Sequence, residues 1–235
     1  MEIRCIWEHN GTDTILYAEN FVGAYTRGAS LDEALNKMTG EVHTYLRWCK
    51  KPCPGDLIAA VVQEKVSTLA IQDADSDVLF DSERAALTPE EYTTLKALVL
   101  KSAADFHTLY QAVPDRTKSA LPHRKSFYGP VPRTAEEMYQ HTKNVNAYYF
   151  GEIGIDADNE GTILSCRERG FDLLEACPGF LENRIYEGSY GEDWTLRKVL
   201  RRFLWHDRIH ARAMYRMVEK TFGPGCLPDL FAFDR

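Results

Sequence analysis

The residues best suited to chemistry lie late in the chain, within WTLRKVLRRFLWHDRIHARAMYRM from Trp194 to Met217. His206 and His210 stand four residues apart, so on a helix they project from one face about one turn apart. Val199, Phe203, Ala213 and Met217 share that face and are apolar, which predicts that both imidazoles point inward. Arg197, Arg201, Arg208 and Arg212 fall on the opposite side, which the pattern assigns to water. Buried imidazoles need partners, because an unsatisfied buried polar group costs roughly 1–3 kcal/mol. A divalent metal satisfies both at once. Hydrogen bonds to a hydroxyl or carbonyl of a neighbouring helix would serve as well.

A third histidine strengthens the metal reading. His141 shares a helical face with Met138, Val145 and Tyr148, which predicts that it too faces the core. Bundles build metal sites from inward side chains on facing helices. Three neutral imidazoles and one open position are the usual layout of a catalytic zinc, with water as fourth ligand. His107 is a reserve ligand, beside Phe106 and Tyr110; His9, His43 and His123 fit less well. Arg202, one turn before His206, can meet an anionic substrate or the carboxylate of a thiol cofactor. Its alternative is to lie along the surface with its head in water. Asp207 can orient an imidazole or form a surface ion pair, and Tyr148 can serve as donor or as core. Glu152 is eleven residues past His141, ~16 Å along a helix axis, and is too distant to join it as a ligand.

Other motifs carry less. The six cysteines are scattered, and the C-x3-C pair Cys49/Cys53 lacks a second pair or nearby histidine to complete a zinc site. Asp73, Asp75 and Asp77 open like a calcium loop, but Val78 and Arg84 stand where glycine and a bidentate glutamate are needed. The chain has no G-x-S-x-G, P-loop or G-x-G-x-x-G motif, so nothing supports esterase, nucleotide or dinucleotide chemistry.

The elements that must position the histidines are legible from caps and periodicity. Thr88-Pro89-Glu90-Glu91 opens a helix to about Val113, and Thr134-Ala135-Glu136-Glu137 opens a second to about Ile155. A third spans about Thr162 to Cys177, and a fourth starts near Asp193 to Thr195 and ends at Gly223-Pro224-Gly225. Four such helices with unequal loops predict a four-helix bundle. The connection from Pro114 to Arg133 holds four of the ten prolines. Loops that long are usually functional or mobile, so it is expected to cover the site, with Arg124, Lys125 and Tyr128 as its polar wall.

Before the helices comes a different pattern. Ile3, Cys5 and Trp7 alternate with polar residues, Asn10-Gly11 marks a hairpin, and Thr14–Ala18 and Val22–Arg27 read as returning strands. Ser30-Leu31-Asp32-Glu33 opens a helix whose apolar stripe includes Leu35, Met38 and Val42, and Leu57–Val66 reads as a fourth strand. The order is βββαβ. A formal charge of −7 argues against general nucleic-acid binding. No apolar run approaches the ~20 residues of a membrane span. The start, Met1-Glu2-Ile3-Arg4, carries no basic-then-apolar leader, which predicts a cytoplasmic protein.

Two resemblances follow. One histidine early in the second bundle helix (EEMYQHTKNVNAYYFGEI) and an H-x3-H pair late in the fourth (FLWHDRIHARAMYR) resemble the DinB-like metalloprotein family over about residues 88–222. The resemblance implies that His141, His206 and His210 bind a divalent metal, zinc or nickel, in a four-helix bundle. It also implies kinship with thiol-cofactor-dependent transferases and isomerases. Members often show Arg-Gly-Gln after the last histidine, whereas this chain has Ala211-Arg212-Ala213, so no particular substrate carries over. The hairpin IWEHNG, the segment AENFVGAYTRG and the helix SLDEALNKM resemble a HicB-like domain over about residues 1–70. Such domains partner a small RNA-cleaving toxin, but the chain shows no sign of that partner or of a ribbon-helix-helix module. A structural or docking role is therefore expected.

The expected fold class is α+β in two domains: a small βββαβ domain over 1–70, an acidic linker over 71–87, and a DinB-like four-helix bundle over 88–235. The expected function is metal-dependent transfer or hydrolysis on a small molecule, with Arg202 and Tyr128 as cofactor-binding residues. The rival is a non-catalytic metal-binding or protein-docking module with structural histidines. A homodimer is the expected assembly.

Overall fold

The computed structural model describes residues 1–126 and 129–233 and is α+β. Tyr128, expected in the polar wall, lies outside the described residues. The chain divides into two compact units. The first runs from Met1 to Ser82 and regains the chain at Phe231; the second runs from Glu83 to Leu230.

The first unit is a mixed sheet with one long helix. Strands β1 (Glu2–His9), β2 (Thr14–Ala18) and β3 (Tyr25–Gly28) precede α1 (Leu31–Trp48), and β4 (Ile58–Val66) follows it. The spatial order is β3-β2-β1-β4, antiparallel except that β4 runs parallel to β1. Gly11 takes φ +87° at the first turn, a conformation that side chains resist. Ser30 caps α1 by accepting from the Glu33 amide. Ala34, Met38 and Val42 are fully buried on that helix, while Leu35 lies half-buried at the edge of the stripe.

The segment read as a linker, 71–87, divides between the units. Its first part is strapped to the sheet by side chains. Tyr17 donates to the Ser76 hydroxyl (2.8 Å), which donates to Glu8 (2.5 Å), and the Asp77 amide donates to the other Glu8 oxygen (3.1 Å). Gln63 holds the Leu79 carbonyl and the Asp81 amide, and Phe80 is buried. Of its acidic residues, Asp73 and Asp81 are exposed and Asp77 is half-buried, its amide held by Glu8.

In the second unit, α2 (Pro89–Gln111), α3 (Ala135–Gly151), α4 (Ile163–Glu175) and α5 (Leu196–Phe222) pack around a common core. Each starts at a threonine, Thr88, Thr134, Thr162 or Thr195, whose side chain accepts from a first-turn amide. The helices α2 and α3 each pack on both α4 and α5, which leaves α4 and α5 facing each other across the core. Gly170 permits the close approach of α4 to α3, since a Cβ there would lie 2.2 Å from the Phe150 ring. Two short ladders, β5 (Lys125–Ser126) with β6 (Gly129–Pro130) and β7 (Tyr186–Glu187) with β8 (Asp193–Trp194), sit in the connections. Neither ladder was apparent in the sequence. No helix among the described residues is long and apolar enough to cross a membrane.

Candidate metal centre

His141 of α3 and His206 and His210 of α5 come together, with one potential ligand atom from each lying within 4.8 Å of the others. The ring centroids are 5.0 Å apart for His141–His206, 4.7 Å for His141–His210 and 4.4 Å for His206–His210. The Nε2 atoms of His206 and His141 are 3.2 Å apart. Two nitrogens held ~2.0–2.1 Å from one tetrahedral ion would stand ~3.3 Å apart. The spacing therefore fits a shared cation, and the cluster can hold a metal ion. Its all-nitrogen donor set suits zinc or a later transition metal more than calcium or magnesium.

The cluster is graded from core to solvent. His206 is 7% exposed, His210 is half-buried and His141 is exposed. The expectation that His141 faces the core is corrected here. The buried stripe of α3 is Ala135, Met138, Tyr139, Thr142, Asn146, Tyr149 and Phe150, one step round the helix from the stripe read in the sequence. His141 flanks that stripe and reaches the other two rings from the rim.

Electrostatics hold the rings neutral. Burial drives His206 well below its ordinary pKa, and His210, His141, Arg202 and Arg167 push the same way. Burial, then His141, takes His210 down to about 3. Loss of water lowers His141. Neutral imidazole is the ligating form. Within the described residues, His206 Nδ1 is buried with no hydrogen-bond partner.

Around the cluster the structure departs from several expectations. The arginine face of α5 is not in water: Arg208 is fully buried, and Arg201, 2% exposed, pairs with Glu83 at 2.5 Å and 3.0 Å. The first half of α5 is enclosed nearly all round, so helical periodicity alone misassigns its polar side. Arg202 is half-buried, its guanidinium 4.8 Å from the Trp205 ring, 5.5 Å from Tyr149 and 5.8 Å from Trp194. Tyr149, rather than Tyr148, approaches the cluster, its ring centroid 6.0 Å from that of His206. His107 is elsewhere: its Nδ1 lies 2.8 Å from the Tyr139 hydroxyl. Arg124 and Lys125 are exposed on their loop. Glu152 accepts from the Ser189 amide and belongs to no ligand cluster among the described residues.

Asp207 neither reaches an imidazole nor sits on the surface. It is fully buried, bonded to Arg167 of α4 (Nη1–Oδ2 2.6 Å, Nη2–Oδ1 3.3 Å) and to the Ser102 hydroxyl of α2. Sequence reasoning missed Arg167, although a signal was present. It lies inside the regular apolar stripe Ile163, Cys166, Gly170, Phe171, Leu174, where a charge must have a buried partner.

Compared with family models, curated proteins and solved structures, the chain matches none.

Proposed function

We propose that the second unit is a DinB-like metal-binding four-helix bundle, joined to a HicB-like first unit, and acts as a metal-dependent enzyme on a small molecule. The observation that carries this reading is the convergence of His141, His206 and His210 at a spacing suited to one ion, with the third ligand on the solvent side. A structural zinc is closed by four protein ligands, whereas a catalytic one keeps a position open. The cluster offers three, and the exposure of His141 leaves room for an exchangeable group beside it. A bound zinc or nickel ion would supply Lewis-acid polarisation and a lowered pKa for a coordinated water or thiol. The chain's own contribution is to present three neutral imidazoles at physiological pH. Arg202, on its bed of aromatic rings one turn before His206, would receive an anionic group of the substrate or of a thiol cofactor.

The rival reading has one specific observation in its favour. A separation of 3.2 Å between two imidazole nitrogens also suits an N–H···N hydrogen bond, which needs no ion. Metal analysis followed by a screen of thiol-transfer and hydrolytic substrates separates the two. The enzyme reading expects metal-dependent turnover that is lost in His210→Ala. Turnover that survives that substitution, or a histidine cluster that takes up no metal, contradicts it. The HicB-like unit is read as a structural or docking domain, and size-exclusion chromatography with light scattering tests the expected homodimer.

A further inference from the structure

Two of the four helices, α2 and α4, carry no member of the histidine cluster, yet α4 makes polar ties to both helices that do. On one side, Asn146 of α3 donates to the Cys166 carbonyl at 3.2 Å. At the next residue, Arg167 reaches across the core to Asp207 of α5 with two hydrogen bonds, and its guanidinium also lies 4.2 Å from the Phe203 ring centroid. Ser102 of α2 completes the set by donating to the same carboxylate. Arg167, Asp207, Ser102 and Asn146 are all fully buried. Asp207 directly follows His206 and precedes His210 by three residues.

An apolar contact between helices tolerates sliding and rotation, because many packings have similar energy. A paired guanidinium and carboxylate in a dry core does not, since their bonds are directional and an unpaired buried charge is strongly disfavoured. The bond fixes where α5 stands about its axis at the level of His206. The adjacent bond from Asn146 fixes α3 five residues beyond His141.

We propose that Arg167 is a positioning residue for the metal centre: through Asp207 it sets the rotation of α5, so that His206 and His210 meet His141 at coordinating distance. The proposal rests on the metal reading and goes beyond it, because it assigns metal affinity to a group that touches no ligand atom. Groups that orient metal ligands from outside commonly change affinity by about 10–100-fold when removed.

The test uses the full-length chain with Co2+ as a spectroscopic probe. Single removal of Arg167 or Asp207 strands a buried charge and can simply unfold the protein, so both are replaced together, Arg167→Met with Asp207→Leu. Replacing a buried pair by apolar groups of similar volume is often neutral for folding. The expected result is a double variant that melts near the wild type, binds Co2+ at least about tenfold more weakly and shows an altered d–d band pattern. Loss of stability alone would leave the band pattern of the folded, loaded protein unmoved. Equal affinity with an identical spectrum overturns the proposal. Should the double variant not fold, Arg167→Lys decides, because it keeps the buried positive charge but gives up the two-pronged contact with Asp207: weaker Co2+ binding with a shifted spectrum supports the positioning role, and unchanged binding overturns it. If the unaltered protein takes up no Co2+, the metal reading itself has failed, and that failure is recognised before any variant is made.

Discussion

At the scale of residues, the three imidazoles are held in a form that binds a cation and resists a proton. His210 titrates near 3 in the folded chain because burial and His141 disfavour its charged form. Unfolded, it would titrate near 6.5. Between those values the unfolded state binds the proton that the folded state refuses, so metal-free stability is full above pH ~6.5 and falls as pH drops toward 3. Chemical denaturation of the metal-free protein at pH 7.5, 6 and 5 should show that loss, and His210→Ala should flatten the slope by up to about 1.4 kcal/mol per pH unit. Identical slopes would contradict the assignment. The same substitution should abolish stoichiometric metal binding while the helical circular dichroism survives. Glu8 behaves in the opposite sense. Burial pushes it up to about 7; the hydrogen bonds from Ser76 and the Asp77 amide oppose this, and the Asp77 carboxylate adds to it. Its contribution is present below its unfolded pKa of about 4.3 and is lost as pH rises through 7. Glu8→Gln, which carries no charge at any pH, should therefore gain on the order of 1–3 kcal/mol relative to the wild type between pH 4 and pH 8. An equal difference from the wild type at both values would contradict it.

At the scale of elements, helix starts were legible and helix faces less so. The caps Ser30, Thr88 and Thr134 fall where the sequence places them, because capping is a local contest between a side chain and nearby amides; the structure adds Thr162 and Thr195 as caps of the other two helices. The His206/His210 pair was likewise readable, since four-residue spacing fixes a shared face. The rotation of α3 was misread by one step because Val145 and Tyr148 are as apolar as the residues that are buried more deeply. The surroundings of α5 were misread because arginines that look solvated, Arg201 and Arg208, are buried by elements distant in sequence. Gly170 shows how closely α3 and α4 must meet. A methyl group at that position would strike the fully buried Phe150 ring, so Gly170→Ala should cost about 1–3 kcal/mol despite its better helix propensity. Thermal melts of the metal-free protein check this; a stabilised variant would mean that the two helices can part without loss.

At the scale of the whole molecule, each unit has its own core, and every histidine of the cluster, together with Arg202 and the Arg167–Asp207 pair, belongs to the unit from Glu83 to Leu230. The first unit contributes none of them. Substitutions that loosen the first unit, such as Met38→Ala at a fully buried position, should cost about 2–5 kcal/mol in its unfolding yet leave metal affinity within a factor of two. Calorimetry and metal titration of the same variant check that separation, which fails if affinity falls with stability. The central claim is that the three histidines form one metal centre. It is tested most directly by X-ray absorption on the untagged full-length protein after loading with zinc or nickel and removal of excess. The account predicts roughly one ion per chain, bound by imidazole nitrogens, at ~2.0–2.1 Å for zinc, with at least one exchangeable oxygen or sulfur ligand. A protein that retains no ion, or one whose ion persists in His210→Ala with an unchanged spectrum, would contradict it.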